Sequence, residues 1–153
     1  MSQTANRGTT THGRTAVQKA AAAVGIVFLL VGVLGFVPGI TTDYDTMSFA
    51  SQSSQAKLLG LFQVSVLHNL VHLLFGVAGL ALARTISGAR RYLVVGGIIY
   101  LVLFLYGLVV SQESAANFVP VNTADDVLHL VLGLGMIGLG LALTRRHAER
   151  AAV

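Results

Sequence analysis

The chain has 153 residues, of which 54% are hydrophobic and only 10% charged, with a mean hydropathy of +0.76. A soluble domain carries about a quarter charged residues, so composition excludes that class and points to an integral membrane protein. The net charge of +4 is spread over short basic clusters beside apolar runs, which fits the lipid bilayer as partner and no nucleic acid. The absence of cysteine excludes disulfides, thiolate metal sites and thiol nucleophiles.

The first 14 residues, rich in Ser, Thr, Asn and Gly, read as a disordered cytoplasmic tail. Thr15-x-x-Gln18 then fits a capping box that opens a first apolar helix over about 17–37. This run exceeds the roughly 7 to 15 apolar residues of a secretory signal, and Phe36-Val37-Pro38-Gly39 is a poor cleavage site, so retention is expected. A polar outer loop leads to a second helix over about 58–83, apolar from Val64 and amphipathic in its lead-in from Lys57. A third helix is expected over about 92–110 and a fourth over about 126–144, before a cytoplasmic tail at 147–153. Each apolar core is close to the roughly 20 residues that cross a hydrocarbon layer of about 30 Å. The alternation of a β-barrel is missing. The expected fold is all-α: an integral membrane four-helix bundle over 15–146, built as two tandem helical hairpins.

Arg7, Arg14, Lys19, Arg84, Arg90, Arg91, Arg145, Arg146 and Arg150 fall on one side of these spans, and Lys57 falls on the other. The positive-inside rule therefore places both termini and the 84–91 link in the cytoplasm. Tyr92 suits an interfacial belt, while Tyr100 and Tyr106 are candidates for interhelical hydrogen bonds.

An internal match organises the rest. Asn69-Leu70-Val71-His72-Leu73-x-x-Gly76 reappears as Asp126-Val127-Leu128-His129-Leu130-x-x-Gly133, which suggests parallel repeats about an axis along the membrane normal. At 100° per residue, Ser65, Asn69, His72, Gly76, Gly79 and Ala83 form one stripe, with His68 at its edge. Asp126, His129, Gly133, Met136 and Gly140 form the matching stripe, and Ala21, Gly25, Gly32 and Gly35 make a small-residue stripe on the first helix. Such faces let transmembrane helices approach closely. Within them, Ser65, Asn69, His72, Asp126 and His129 are expected to form a structural polar cluster, His72 and His129 bonding to Asn69, Ser65 or backbone carbonyls. The alternative makes His68, His72 and His129 ligands of a divalent metal or a haem, His68 and His72 sharing a face at i, i+4 and Asp125 or Asp126 with His129 completing a metal site. Residue 69 is Asn, so the segment is not the HExxH signature of a metalloprotease. Thr123-Ala124-Asp125-Asp126 reads as a helix start with Thr123 at the cap and Asp126 three residues on. No phosphate loop, catalytic triad or paired catalytic carboxylates occur.

GIVFLLVGVLGFVPGI at 25–40 and LLGLFQVSVLHNLVHLLFGVAGL at 58–80 resemble the bacterial membrane family called domain of unknown function 4383, over about 17–144 of the chain. The resemblance implies a small four-helix protein of the bacterial cytoplasmic membrane and brings no activity or ligand. The leading expectation is a non-enzymatic accessory or scaffold protein with no cofactor, self-associating or joined to a membrane protein partner through its small-residue stripes. The alternatives are a haem- or metal-binding redox protein using the histidines, and a small oligomeric transporter or proton-conducting unit.

Overall fold

A computed structural model describes residues 13–151 of the chain, with side chains described through Arg145. The tail expected at 1–14 therefore lies, through residue 12, outside the described residues, as do residues 152 and 153. Four helices dominate: α1 (Ala16–Leu34), α2 (Val66–Leu82), α3 (Ile86–Val109) and α4 (Thr123–Ala151). Between α1 and α2 lies a small antiparallel sheet of β1 (Thr41–Thr42), β2 (Lys57–Leu58) and β3 (Phe62–Gln63), in the order β1-β2-β3. The class is thus predominantly all-α. Three helices, Ala16–Leu34, Ile86–Val109 and the Thr123–Arg145 part of α4, are long and apolar enough to cross a membrane. The 17 residues of α2 form a shorter apolar helix.

Several boundaries differ from the sequence expectation. The second helix begins at Val66, because the expected lead-in from Lys57 is a β-hairpin. Leu59 (φ 56°) and Gly60 (φ 70°) both take the left-handed conformation that reverses the chain there, and a helix cannot continue through it. At the other end α3 starts at Ile86, so Arg90 and Arg91 are helical and only Arg84 remains in the link. Thr85 makes that early start, its Oγ1 accepting from the Gly88 N–H at 3.0 Å. The C-terminal tail expected from residue 147 is helical as far as Ala151.

Each helix start satisfies its free amides locally, which a bilayer demands. Gln18 Oε1 accepts from the Thr15 N–H at 3.0 Å, as the Thr15-x-x-Gln18 spacing implied. Its Nε2 donates to the carbonyls of Ala83 (3.1 Å) and Arg84 (2.9 Å), pinning the start of α1 to the end of α2. Ser65 Oγ accepts from the His68 N–H at 3.1 Å, while the Val66 and Leu67 amides donate to the Ser48 and Phe49 carbonyls of the outer loop. The cap of α4 is Asn122, one residue before the Thr123 expected. Its Oδ1 accepts from the amides of Ala124 (2.9 Å) and Asp125 (3.1 Å).

Packing follows the small-residue stripes. A Cβ on Gly25 would meet the Gly76 carbonyl at 3.0 Å and one on Gly76 would meet the Gly25 carbonyl at 2.8 Å. Gly97 and Gly133 stand in the same reciprocal relation, at 2.7 and 3.0 Å. Each pair brings the two backbones of a hairpin together, α1 on α2 and α3 on α4. The correspondence extends further than the short match in the sequence. Gly25, Phe28 and Gly35 of the first hairpin recur as Gly97, Tyr100 and Gly107 of the second, at the same spacings. The side chain of Asn69 lies against Gly35, and that of Asp126 lies against Gly107. Even the caps correspond, Ser65 and Asn122 each accepting from the amide three residues on. Leu30, Val33, Leu74, Val77, Ile98, Val102, Leu105, Val131 and Leu134 remain exposed on the outside of the bundle, a surface suited to lipid.

Replacing Gly107 by Val drives a branched side chain into Asp126 and should destabilise the second hairpin by about 1–3 kcal/mol, read as thermal unfolding in detergent. Gly135→Ala, where a Cβ meets nothing within 4 Å, should leave the melting temperature unchanged or raise it.

Candidate functional site

A cavity of about 420 Å³ lies between α1 and α4, with α2 and α3 behind it and the tip of the β2–β3 hairpin across one end. Its wall brings together His68, His72 and His129, the three histidines singled out in the sequence, with Tyr100, Asp125 and Phe28. The remainder is apolar, including Val24, Val27, Leu128 and Leu132. Val27 and Leu128 are also exposed on the outer surface of the bundle, so the cavity opens sideways, between α1 and α4.

The duplication explains why there is a cavity on this flank. In the groove between α2 and α3, Phe75 fills the space. It lies edge-on to Phe28 and Tyr100 (centroids 5.0 and 5.6 Å) and over Gly96, where a Cβ would meet its ring at 2.7 Å. In the α1–α4 groove the corresponding residues are Leu132 and Val24. The smaller Leu132 side chain does not reach across, and both residues line the cavity.

Aromatic rings form a continuous arc along the inner wall. His68 meets His72 (4.6 Å between centroids), His72 meets Phe28 (5.7 Å), Phe28 stacks on Tyr100 (5.4 Å, 21°) and Tyr100 meets His129 (5.2 Å). The centre of this arc is the repeat-related pair Phe28 and Tyr100, flanked by the repeat-related pair His72 and His129. His68 and His129 are only 5% and 3% exposed, and the Nδ1 atoms of all three imidazoles are buried without a protein partner.

The members of the expected polar cluster divide, His72 and His129 lining the cavity while Asn69 and Asp126 lie against Gly35 and Gly107 of separate hairpins, and they are not hydrogen-bonded as expected. Ser65 serves α2 as its cap, and Asn69 has a single contact of 4.0 Å from Nδ2 to the Met47 sulfur, its Oδ1 unpartnered. Among the described residues, neither His72 nor His129 is bonded to Asn69 or Ser65. Asp126 packs against Gly107 with Oδ1 unpartnered, so it is not the capping acid. That part belongs to Asp125, whose Oδ2 accepts from the amides of Asn122 (2.9 Å) and Gln63 (3.0 Å). One carboxylate thereby ties the start of α4 to the end of β3 on the other hairpin. Nor does Tyr92 sit in an interfacial belt: it is buried against Phe75 (5.2 Å) with its hydroxyl unpartnered. Tyr106 donates to the Ala116 carbonyl of the second outer loop. Among the described residues no group of three or more His, Asp or Glu side chains is placed to hold a metal ion.

Phe28 and Phe75 had no place in the sequence-level site, which held Asp125 only as a group that could complete a metal site beside His129. The only signal for Phe28 was its equivalence to Tyr100 under the repeat.

These features define a small, mainly helical membrane protein with a lateral cavity inside its helices. Residues 18–142 match the family described as "Domain of unknown function (DUF4383)", and the chain belongs to that family. Neither the curated proteins nor the solved structures contain a match to it.

Asp125→Ala strands two backbone donors at once and should lower stability in detergent by about 2–4 kcal/mol. Asp125→Asn, which keeps an acceptor oxygen, should lose less than half of that, and thermal unfolding of the two variants side by side checks it.

Proposed function

We propose that this is a non-enzymatic binding protein of a bacterial cytoplasmic membrane, which holds a small lipid-phase molecule in the cavity between α1 and α4. The observation that carries this reading is a large, mostly apolar cavity that opens sideways between α1 and α4 and has three imidazoles in its wall. A concave apolar wall with a few polar groups suits a lipid-phase guest, and the imidazoles are the polar groups it would meet. Gly25, Gly76, Gly97 and Gly133 are taken up in packing within the hairpins. Four helices cross the membrane in this reading. At about 1.5 Å per residue α2 is about 26 Å long, and its cap and outer-loop amide bonds extend the satisfied backbone into the headgroup region. The distribution of basic residues supports a topology with both termini and the α2–α3 link on the cytoplasmic side.

Topology is checked by single cysteines in this cysteine-free chain. A membrane-impermeant maleimide added to intact cells should label Gln52→Cys in the first outer loop and spare Ser87→Cys at the start of α3. Occupancy is checked by native mass spectrometry of the chain released from mild detergent. The wild type should carry one added small-molecule mass per chain, and Leu132→Phe, which fills the cavity, should not. A wild-type chain that is bare after release from native membranes would overturn the reading, and a stoichiometric metal lost in His72→Ala/His129→Ala would replace it with a metal-ligand role for the histidines.

A further inference from the structure

The chemistry of the cavity wall narrows what the molecule is. Resting on the binding reading above, we propose that the cavity takes the head of a lipid-soluble quinone, its tail leaving between α1 and α4.

Among the described residues no Lys or Arg lines the cavity, so a phosphate or carboxylate head would enter without a counter-charge, an expensive transfer into an apolar site. A cationic head would find one carboxylate, Asp125, whose Oδ2 already accepts two backbone amides, in a wall that is otherwise apolar, and its transfer there is expensive too. An uncharged head with hydrogen-bond acceptors remains. Every imidazole carries one N–H donor in either neutral tautomer. Among the described residues Nδ1 of His72 and His129 is packed against protein without a partner, so a head group in the cavity would meet these rings through Nε2.

The arrangement of these donors is specific. His72 and His129 occupy equivalent places in the two repeats, one on each side of the stacked Phe28–Tyr100 pair (5.4 Å), at 5.7 Å from Phe28 and 5.2 Å from Tyr100. A para-quinone has the matching form: a flat ring, two carbonyl acceptors at opposite edges, and no charge. Its ring can lie on the aromatic arc with one carbonyl toward each histidine, and Tyr100, whose repeat counterpart Phe28 has no hydroxyl, also lines the cavity. Beyond the arc the wall is aliphatic through Val27 and Leu128, which continue to the outer surface and suit an isoprenoid or alkyl tail.

The test compares two probes on the full-length purified chain in mild detergent, by equilibrium dialysis: a decyl-substituted benzoquinone, and decylbenzene, which has the tail and a flat ring but no carbonyl. The quinone should bind at about one per chain and at least tenfold more tightly than decylbenzene, as two hydrogen bonds imply. His72→Phe and His129→Phe should each weaken the quinone by about tenfold and leave decylbenzene within about twofold. His72→Asn and His129→Asn, which keep an N–H donor, should retain quinone binding within about threefold, separating donor loss from misfolding. Leu132→Phe should abolish both probes while keeping a cooperative melt. Equal affinity for the two probes, or histidine variants that bind quinone like the wild type, would overturn the quinone assignment and leave the lipid-phase cavity standing. Failure of the wild type to bind either probe would overturn both.

Discussion

Reciprocal contact of glycine with glycine sets the separation of the helices within each hairpin, and most of the remaining structure depends on that separation. Between transmembrane helices in lipid there is no hydrophobic gain from burying one apolar side chain against another, so attraction comes from close backbone approach. Gly25 on Gly76 and Gly97 on Gly133 provide it. Once the backbones are this near, the residues two turns toward the outer face must be accommodated too. Asn69 fits only because Gly35 lies opposite, and Asp126 only because Gly107 does. The buried polar residues at the outer ends of α2 and α4 are therefore consequences of the glycine contacts and not independent devices.

Two hairpins built to one plan leave two grooves between them, and a single substitution decides their fates. Phe75 over Gly96 closes the groove between α2 and α3. Leu132 beside Val24 leaves its counterpart open. The first outer connection, from Gly35 to Asn69, is also the longer of the two, and its excess length forms the sheet whose hairpin tip covers one end of the open groove. Closure from above and opening from the side thus both originate in departures from the repeat.

The helices and the stripes that pack them were legible in the sequence because hydropathy and a period of 3.6 are local signals. Ser65, Asn69, Gly76, Gly79 and Ala83 are buried as projected, and so are Asp126, His129, Gly133, Met136 and Gly140. The stretch from Lys57 to Gln63 was not legible. Leu58-Leu59-Gly60-Leu61-Phe62 is a short apolar run whose periodicity does not separate helix from strand, and only the left-handed pair Leu59–Gly60 makes it a hairpin. The cap of α4 slipped by one residue, since Asn122 and Thr123 both carry a suitable oxygen and their choice rests on whether Asp125 or Asp126 reaches back. That the histidines would share a cavity, and not a hydrogen-bonded knot, was beyond sequence reading. It depends on the difference in reach between Phe75 and Leu132 across two separate helix pairs.

Because only one groove is open, the molecule is one-sided in the plane of the membrane. A neighbour pressed against α2 and α3 would leave exchange with the surrounding lipid untouched, whereas the same neighbour against α1 and α4 would seal the entrance. In-plane orientation within any assembly therefore becomes a control on access that requires no change of conformation in the chain itself.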